Sequence, residues 1–238
     1  MPAQQANLAL HQLPLALRPR DDRAFANFWV HDNPAPDLLR RMLRDDGERM
    51  VYLHGGEGTG KTHLLNALCN LAYQNGETAV LLPCKTVWDA PYDPFEGLEH
   101  ARLLCLDDVQ ALAGVVHLEQ ALFHAINRCR ESGTRLVFSA KDIPSALGIY
   151  LPDLVSRLGW GSVVRLKHTD AAGCAAILQM RAAELGLVLE PPTARYLVNT
   201  VGLRLPMLMD VLMHLERASM SAQRRLTLPF VRSVLDQV

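Results

Sequence analysis

Five short apolar runs punctuate residues 50–166: MVYLH (50–54), TAVLLP (78–83), LLCLD (103–107), RLVFSA (135–140) and VVRL (163–166). Each is nearly unbroken, without the polar alternation of a half-exposed strand, which predicts strands covered on both faces in a parallel sheet. The segments between them read differently. THLLNALCNLAYQNG (62–76) and LEQALFHAINRCRESG (118–133) repeat apolar residues at helical spacing and close on Gly, the usual residue for a helix C-terminus. Ahead of the first strand, DNPAPDLLRRMLRDD (32–46) sets Leu38, Leu39, Met42 and Leu43 at the same spacing. Strand and helix in alternation predict an α/β fold with a central parallel sheet flanked by helices.

After residue 167 the strand pattern stops. DAAGCAAILQMRAAELG (170–186) begins at an Asp suited to an N-cap, and PPTARYLVNTVG (191–202) begins with Pro in its first turn. PMLMDVLMHLERASM (206–220) places Leu208, Val211, Leu212 and Leu215 on one face, and TLPFVRSVLDQV (227–238) reads as a last short helix. The expected organisation is therefore a tail over 1–20, an α/β domain over 21–167 and a small α-helical subdomain over 168–238. Ordered sequence is expected from about Phe25. The tail carries HQLPLALRPR (11–20), in which Gln12 is followed by Leu13, Leu15 and Leu17 at alternate positions, without helical period.

Charge narrows the function. Lys and Arg number 24 against 25 Asp and Glu, a formal net charge of −1, which argues against binding nucleic acid through bulk charge. The local basic clusters, Arg40, Arg41 and Arg44 or Arg224 and Arg225, read as solvated helix faces. Five scattered cysteines (69, 84, 105, 129 and 174) lack a C-x-x-C spacing and predict reduced core thiols rather than a disulfide or zinc framework. No apolar run reaches the roughly 18 residues of a membrane span, and the N-terminus lacks a signal-peptide pattern. A cytoplasmic protein without a membrane partner is expected.

The chemistry concentrates where the first strand ends. GGEGTGKT (55–62) fits G-x-x-x-x-G-K-[ST], and an apolar strand runs into it while an amphipathic helix runs out. Gly55, Gly56, Gly58 and Gly60, with Glu57 and Thr59 between them, form a loop whose backbone N–H groups can turn inward to cradle phosphate. The following helix directs its positive dipole end at the same place. Lys61 supplies a charge for the β- and γ-phosphates, and Thr62 a hydroxyl for Mg²⁺. LLCLDDVQ (103–110) is the expected second half: a buried strand delivering Asp107 to hold Mg²⁺ and Asp108 to orient or polarise water. Together they predict binding of ADP or ATP with Mg²⁺.

Five segments carry a family resemblance: FANFWVHDNP before the first strand, GGEGTGKTHLLNAL, CLDDVQ, SRLGWG (156–161) and AQRRLTLPFV. In this order they resemble the DnaA family of AAA+ proteins, and within it the shorter, Hda-type regulatory branch. The resemblance runs from about residue 21 to the C-terminus and implies an AAA+ P-loop domain followed by a helical lid. It implies that Arg157 is an arginine finger reaching a nucleotide on a neighbouring subunit. From the residues alone, the favoured reading is that Arg157 caps a helix or pairs with Asp153. The tail resembles the short motif that docks on the DNA polymerase III β sliding clamp, through Gln12, Leu13, Leu15 and Leu17. The activity implied is negative regulation of replication initiation. Docked on the DNA-loaded clamp, the protein would promote hydrolysis of DnaA-bound ATP and so leave inactive DnaA-ADP. DnaA and the clamp are the implied partners. Direct sequence-specific DNA binding is not expected, because the chain stops at Val238 soon after the last helix. An autonomous ATPase such as a helicase loader, a passive nucleotide-bound clamp adaptor, and pairing with a second copy stay open. Two departures from the family pattern, Lys141-Asp142 after the fourth strand and Pro206 where the lid usually has Arg, imply weak hydrolysis of the chain's own nucleotide. Arg204 stands two residues from the Pro206 position.

Overall fold

The computed structural model describes residues 24–29, 33–44, 46–88 and 93–236. The tail with Gln12, Leu13, Leu15 and Leu17 lies outside them. Among the described residues the apolar runs form one five-stranded sheet: β1 (Met50–His54), β2 (Ala79–Pro83), β3 (Leu103–Asp107), β4 (Arg135–Ala140) and β5 (Ser162–Arg165). The order is β2-β3-β4-β1-β5 and every pairing is parallel, with Met50 opposite Leu136 and Leu106 opposite Phe138. All the strands therefore end on the same edge, where the loops that carry chemistry emerge.

Side chains alternate across each strand and so feed two cores. On one face Leu103, Cys105, Val51, Leu53 and Val137 pack with Leu39 and Met42 of α1 (Ala35–Met42) and Leu64, Leu65 and Leu68 of α2 (Lys61–Gln74). On the other, Leu104, Leu106, Tyr52 and Phe138 meet Leu122, Ile126 and Cys129 of α3 (Val116–Ser132) and Leu154 and Leu158 of α4 (Pro152–Leu158). All five cysteines are buried and free.

The last four helices, α5 (Ala171–Glu184), α6 (Pro191–Val201), α7 (Leu205–Ala222) and α8 (Leu228–Leu235), enclose a cluster of their own around Leu178, Leu197, Leu212 and Phe230. Asp170 caps α5 as its sequence position predicts: the carboxylate accepts from Gly173 N at 2.8 Å. Helix α1 is shorter than the periodic stretch that announces it. Helix α4 has no counterpart among the helices expected from periodicity, since its seven residues span barely two turns. No helix among the described residues is long and apolar enough to cross a membrane.

Candidate functional site

The loop at 55–62 leaves β1 without breaking the ladder, because Gly55 N donates to Ala140 O at 3.2 Å. It then turns through Gly58 (φ 78°) and Gly60 (φ 91°), left-handed conformations that favour glycine. Space gives a second reason for both residues. A Cβ on Gly60 would stand 2.6 Å from Phe28 Cε2, and one on Gly58 2.9 Å from Pro206 Cδ. The N–H groups of Gly56, Glu57, Gly58, Thr59 and Gly60 have no protein acceptor among the described residues. They lie beside the first turn of α2, where the helix dipole is positive.

Lys61 Nζ lies against the loop, donating to Gly55 O at 2.6 Å and Gly56 O at 2.8 Å. Burial lowers its pKa, against the opposing pull of Asp108, Asp107 and Glu57. Thr62 Oγ1 donates to Asp107 Oδ2 at 2.7 Å, and the other carboxylate oxygen accepts from Ser139 Oγ on β4. Asp107 and Thr62 thus converge from β3 and α2 on one point beside the loop. These atoms suit a polyphosphate and a hard cation: a nest of donors, an ammonium, and a hydroxyl–carboxylate pair. No group of three or more His, Cys, Asp or Glu among the described residues forms a metal cage. Mg²⁺ carried with phosphates needs only one or two protein oxygens.

Asp108 is engaged elsewhere. Its Oδ2 pairs with Lys85 Nζ at 2.8 Å, its Oδ1 accepts from Gln110 Nε2 at 2.9 Å, and its N–H donates to Ser139 Oγ at 3.0 Å. Burial pushes the carboxyl pKa up, but hydrogen bonds from Lys85 and Gln110 outweigh it and hold the group below its ordinary value. A cavity of about 620 Å³, within the size range of ligand clefts, lies above these residues, with Lys85, Asp108 and Lys141 on one wall and Arg181, Pro206 and Met209 on the other.

Arg157 sits in the last turn of α4, on the sheet face opposite α1 and α2. It is half-buried, with Cζ 3.8 Å from the centroid of Trp160 and 5.6 Å from that of Phe123. Its guanidinium makes no hydrogen bond or ion pair among the described residues, so the pairing with Asp153 that its sequence position allowed does not form.

Comparison with known proteins places this geometry. A family model of the bacterial DnaA ATPase domain matches residues 92–165, and one of the Hda lid domain matches residues 170–235. The chain is an Hda/DnaA-like AAA+ protein. Domain III of the Thermotoga maritima replication initiation protein DnaA superposes with a TM-score of 0.82 at 22% identity, covering 92% of this chain and 97% of that one. AMPPCP-bound DnaA from Aquifex aeolicus gives 0.70 at 22%, covering 82% of this chain and 65% of that one, so the present chain spans less than two thirds of that protein. The Thermotoga maritima RuvB branch migration motor shares the fold at a TM-score of 0.67 and 14% identity, covering 92% of this chain and 72% of that one. The phosphate loop lies outside both matched stretches and stands on its own residues and geometry.

Against this AAA+ frame the two departures gain positions. Pro206 is the second residue of α7 and caps the loop from above, while Arg204 precedes the helix and pairs with Glu57 at 3.5 Å, with both side chains exposed. Lys141 lines the cavity beside Gln110, whose Oε1 accepts from Lys141 N at 3.1 Å. Ser139, Lys85, Gln110 and Arg181 escaped the sequence reading. Only Ser139 left a trace, as the one hydroxyl inside the apolar run RLVFSA.

Proposed function

We propose that this chain is a nucleotide-bound regulator of a DnaA-type replication initiator. ADP or ATP occupies the cavity above the phosphate loop of residues 55–62, where the N–H groups that follow Gly55 and the Lys61 ammonium hold the phosphates and Thr62 and Asp107 hold Mg²⁺. The bound cation neutralises phosphate charge. The AMPPCP bound to Aquifex aeolicus DnaA, a protein of the same fold, supports this reading. Asp108 is a poor proton acceptor while Lys85 and Gln110 hold it, which agrees with nucleotide serving mainly as a structural ligand.

The observation that carries the regulatory reading is Arg157: a half-buried cation at a helix end, resting on an aromatic ring, with no acid among the described residues to neutralise it. A guanidinium so held can complete the site of a neighbouring AAA+ subunit and stabilise charge on its transferring γ-phosphoryl group. In this reading residues 1–20 are a tether, 21–167 the AAA+ domain and 168–238 the lid. Gln12, Leu13, Leu15 and Leu17 dock on the β sliding clamp, and tethering raises the effective concentration of a weak contact with DnaA.

One assay tests it: phosphate release by this chain alone, by DnaA alone, and by both with clamp and DNA. Stimulation only in the combined reaction, lost with Arg157→Ala, is expected. Equal stimulation by the variant removes the finger, and turnover by the chain alone makes it an autonomous ATPase. Replacing Gln12 and Leu13 by Ala should abolish clamp pull-down; retained binding places docking elsewhere.

A further inference from the structure

SRLGWG contains a second residue whose position calls for a role. Helix α4 closes at Gly159, whose N–H donates to Val155 O at 3.2 Å, and Trp160 N donates to Arg157 O at 3.1 Å. That turn folds the indole back beneath the Arg157 side chain. With Cζ only 3.8 Å from the ring centroid, an end-on approach would bring a nitrogen to about 2.5 Å from the ring plane, given a C–N bond of about 1.3 Å. A Cζ this close to the centroid is at the separation of a face stack. Arg130 Cζ stands 4.7 Å over the same ring, and Phe123 borders Arg157 from α3.

A face stack differs from an ion pair in one respect that matters. A carboxylate holds an arginine by occupying its N–H edge, whereas an aromatic face holds the planar cation and leaves all five in-plane donors open. A long side chain that would otherwise sample many rotamers is thereby kept in few, its hydrogen-bonding edge unused. We propose that Trp160 is a positioning residue for Arg157, holding the guanidinium flat so that its donors face a phosphoryl group on a neighbouring subunit. This rests on the finger reading above. Trp160 itself touches no substrate; it limits where Arg157 can go. Leu154 and Leu158, fully buried beneath α4, keep the helix from following the side chain.

The test compares four proteins in the stimulated ATPase assay: wild type, Arg157→Ala, Trp160→Phe and Trp160→Leu. Trp160→Leu should lower the maximal rate by about tenfold or more, as expected when a catalytic group loses its orientation. The concentration of partner giving half-maximal effect should stay within about twofold, because the docking surface is intact. Trp160→Phe keeps a ring face and should recover the rate to within about threefold of wild type. A silent Arg157→Ala with a fully active Trp160→Leu, or a Phe variant as impaired as the Leu one, overturns the positioning role and leaves the finger. An active Arg157→Ala overturns the finger itself. Should Trp160→Leu not fold, NMR of the wild-type protein decides: the Arg157 Hδ and Hε resonances should be displaced upfield by the indole ring current. Resonances at their ordinary positions would mean that the stack is absent in solution and the proposal fails.

Discussion

Asp108 is held at φ 60°, a left-handed conformation that costs a non-glycine residue about 1–2 kcal/mol. Three contacts offset the cost: its N–H on Ser139, one oxygen on Lys85 and the other on Gln110. The hydrogen bond to Asp108 in turn raises the Lys85 pKa. The two shifts set the window in which the pair stabilises the fold. Asp108, lowered, contributes above the ordinary carboxylate range and loses its contribution as pH falls through its lowered value. Lys85, raised, contributes below the ordinary lysine pKa and loses it as pH rises through its raised value. Across neutral pH the pair is intact. Lys85→Met removes the hydrogen bond and the charge, so the Asp108 carboxyl should titrate at higher pH, followed by carbon NMR of that side chain. An unmoved midpoint would mean that the ion pair does not persist in solution. None of this was legible in the sequence beyond the DD dipeptide, because Lys85 follows a different strand and Gln110 and Ser139 are ordinary residues until the fold assembles them.

Glu119 shows the same limit between elements. It lies in the first turn of α3, 1% exposed, and accepts from Gly114 N, Tyr150 N and Leu151 N, the last being the residue that caps α4. One carboxylate thus fixes both the loop before α3 and the start of the helix that carries Arg157. Glu119→Ala takes a buried, charged acceptor from three part-buried backbone donors and should lower stability by about 3 kcal/mol or more, with Glu119→Gln intermediate. Asp170→Ala, which removes a single N-cap, should cost only about 1 kcal/mol. Urea unfolding midpoints of the three variants check the order; a Glu119→Ala loss no larger than that of Asp170→Ala would refute the pinning role. The cap at Asp170 could be read in advance because a cap is local. Strands were equally readable: β1, β3 and β4 are sealed between helices, so their sequences need no polar alternation. Helix α4 was not, since a short segment entered through Pro152 offers too few turns for a period to register, and its anchor lies 32 residues upstream.

At the scale of the molecule, the sheet and the four-helix lid each have a core of their own and meet over the phosphate loop at Pro206 above Gly58, Arg204 with Glu57, and Arg181 with His63 at 3.2 Å, 118 residues away in the chain. Such separations explain why the loop was legible from local spacing, whereas Pro206 and Arg204 came into view only through the family resemblance and Arg181 not at all. The Arg204–Glu57 pair is too exposed to hold the halves together, since surface ion pairs contribute about 0–1 kcal/mol. A ligand in a cavity walled by both halves is a stronger coupler, because binding only the folded form adds about 2.7 kcal/mol at a hundredfold excess over Kd. ADP with Mg²⁺ should therefore raise the melting temperature of the whole chain in one transition. Lys61→Ala should erase most of that rise. Asp107→Asn tests the cation's share, because the amide keeps an acceptor for one of the two hydroxyls, Thr62 or Ser139, and loses the charge that favours Mg²⁺. With ADP and EDTA, wild type and Asp107→Asn should rise by the same amount above their own ligand-free melting temperatures; adding Mg²⁺ should lift the wild type alone. If the variant gains as much from Mg²⁺, the carboxylate on β3 is not the cation's protein ligand, and the convergence of β3 and α2 beside the loop serves packing only.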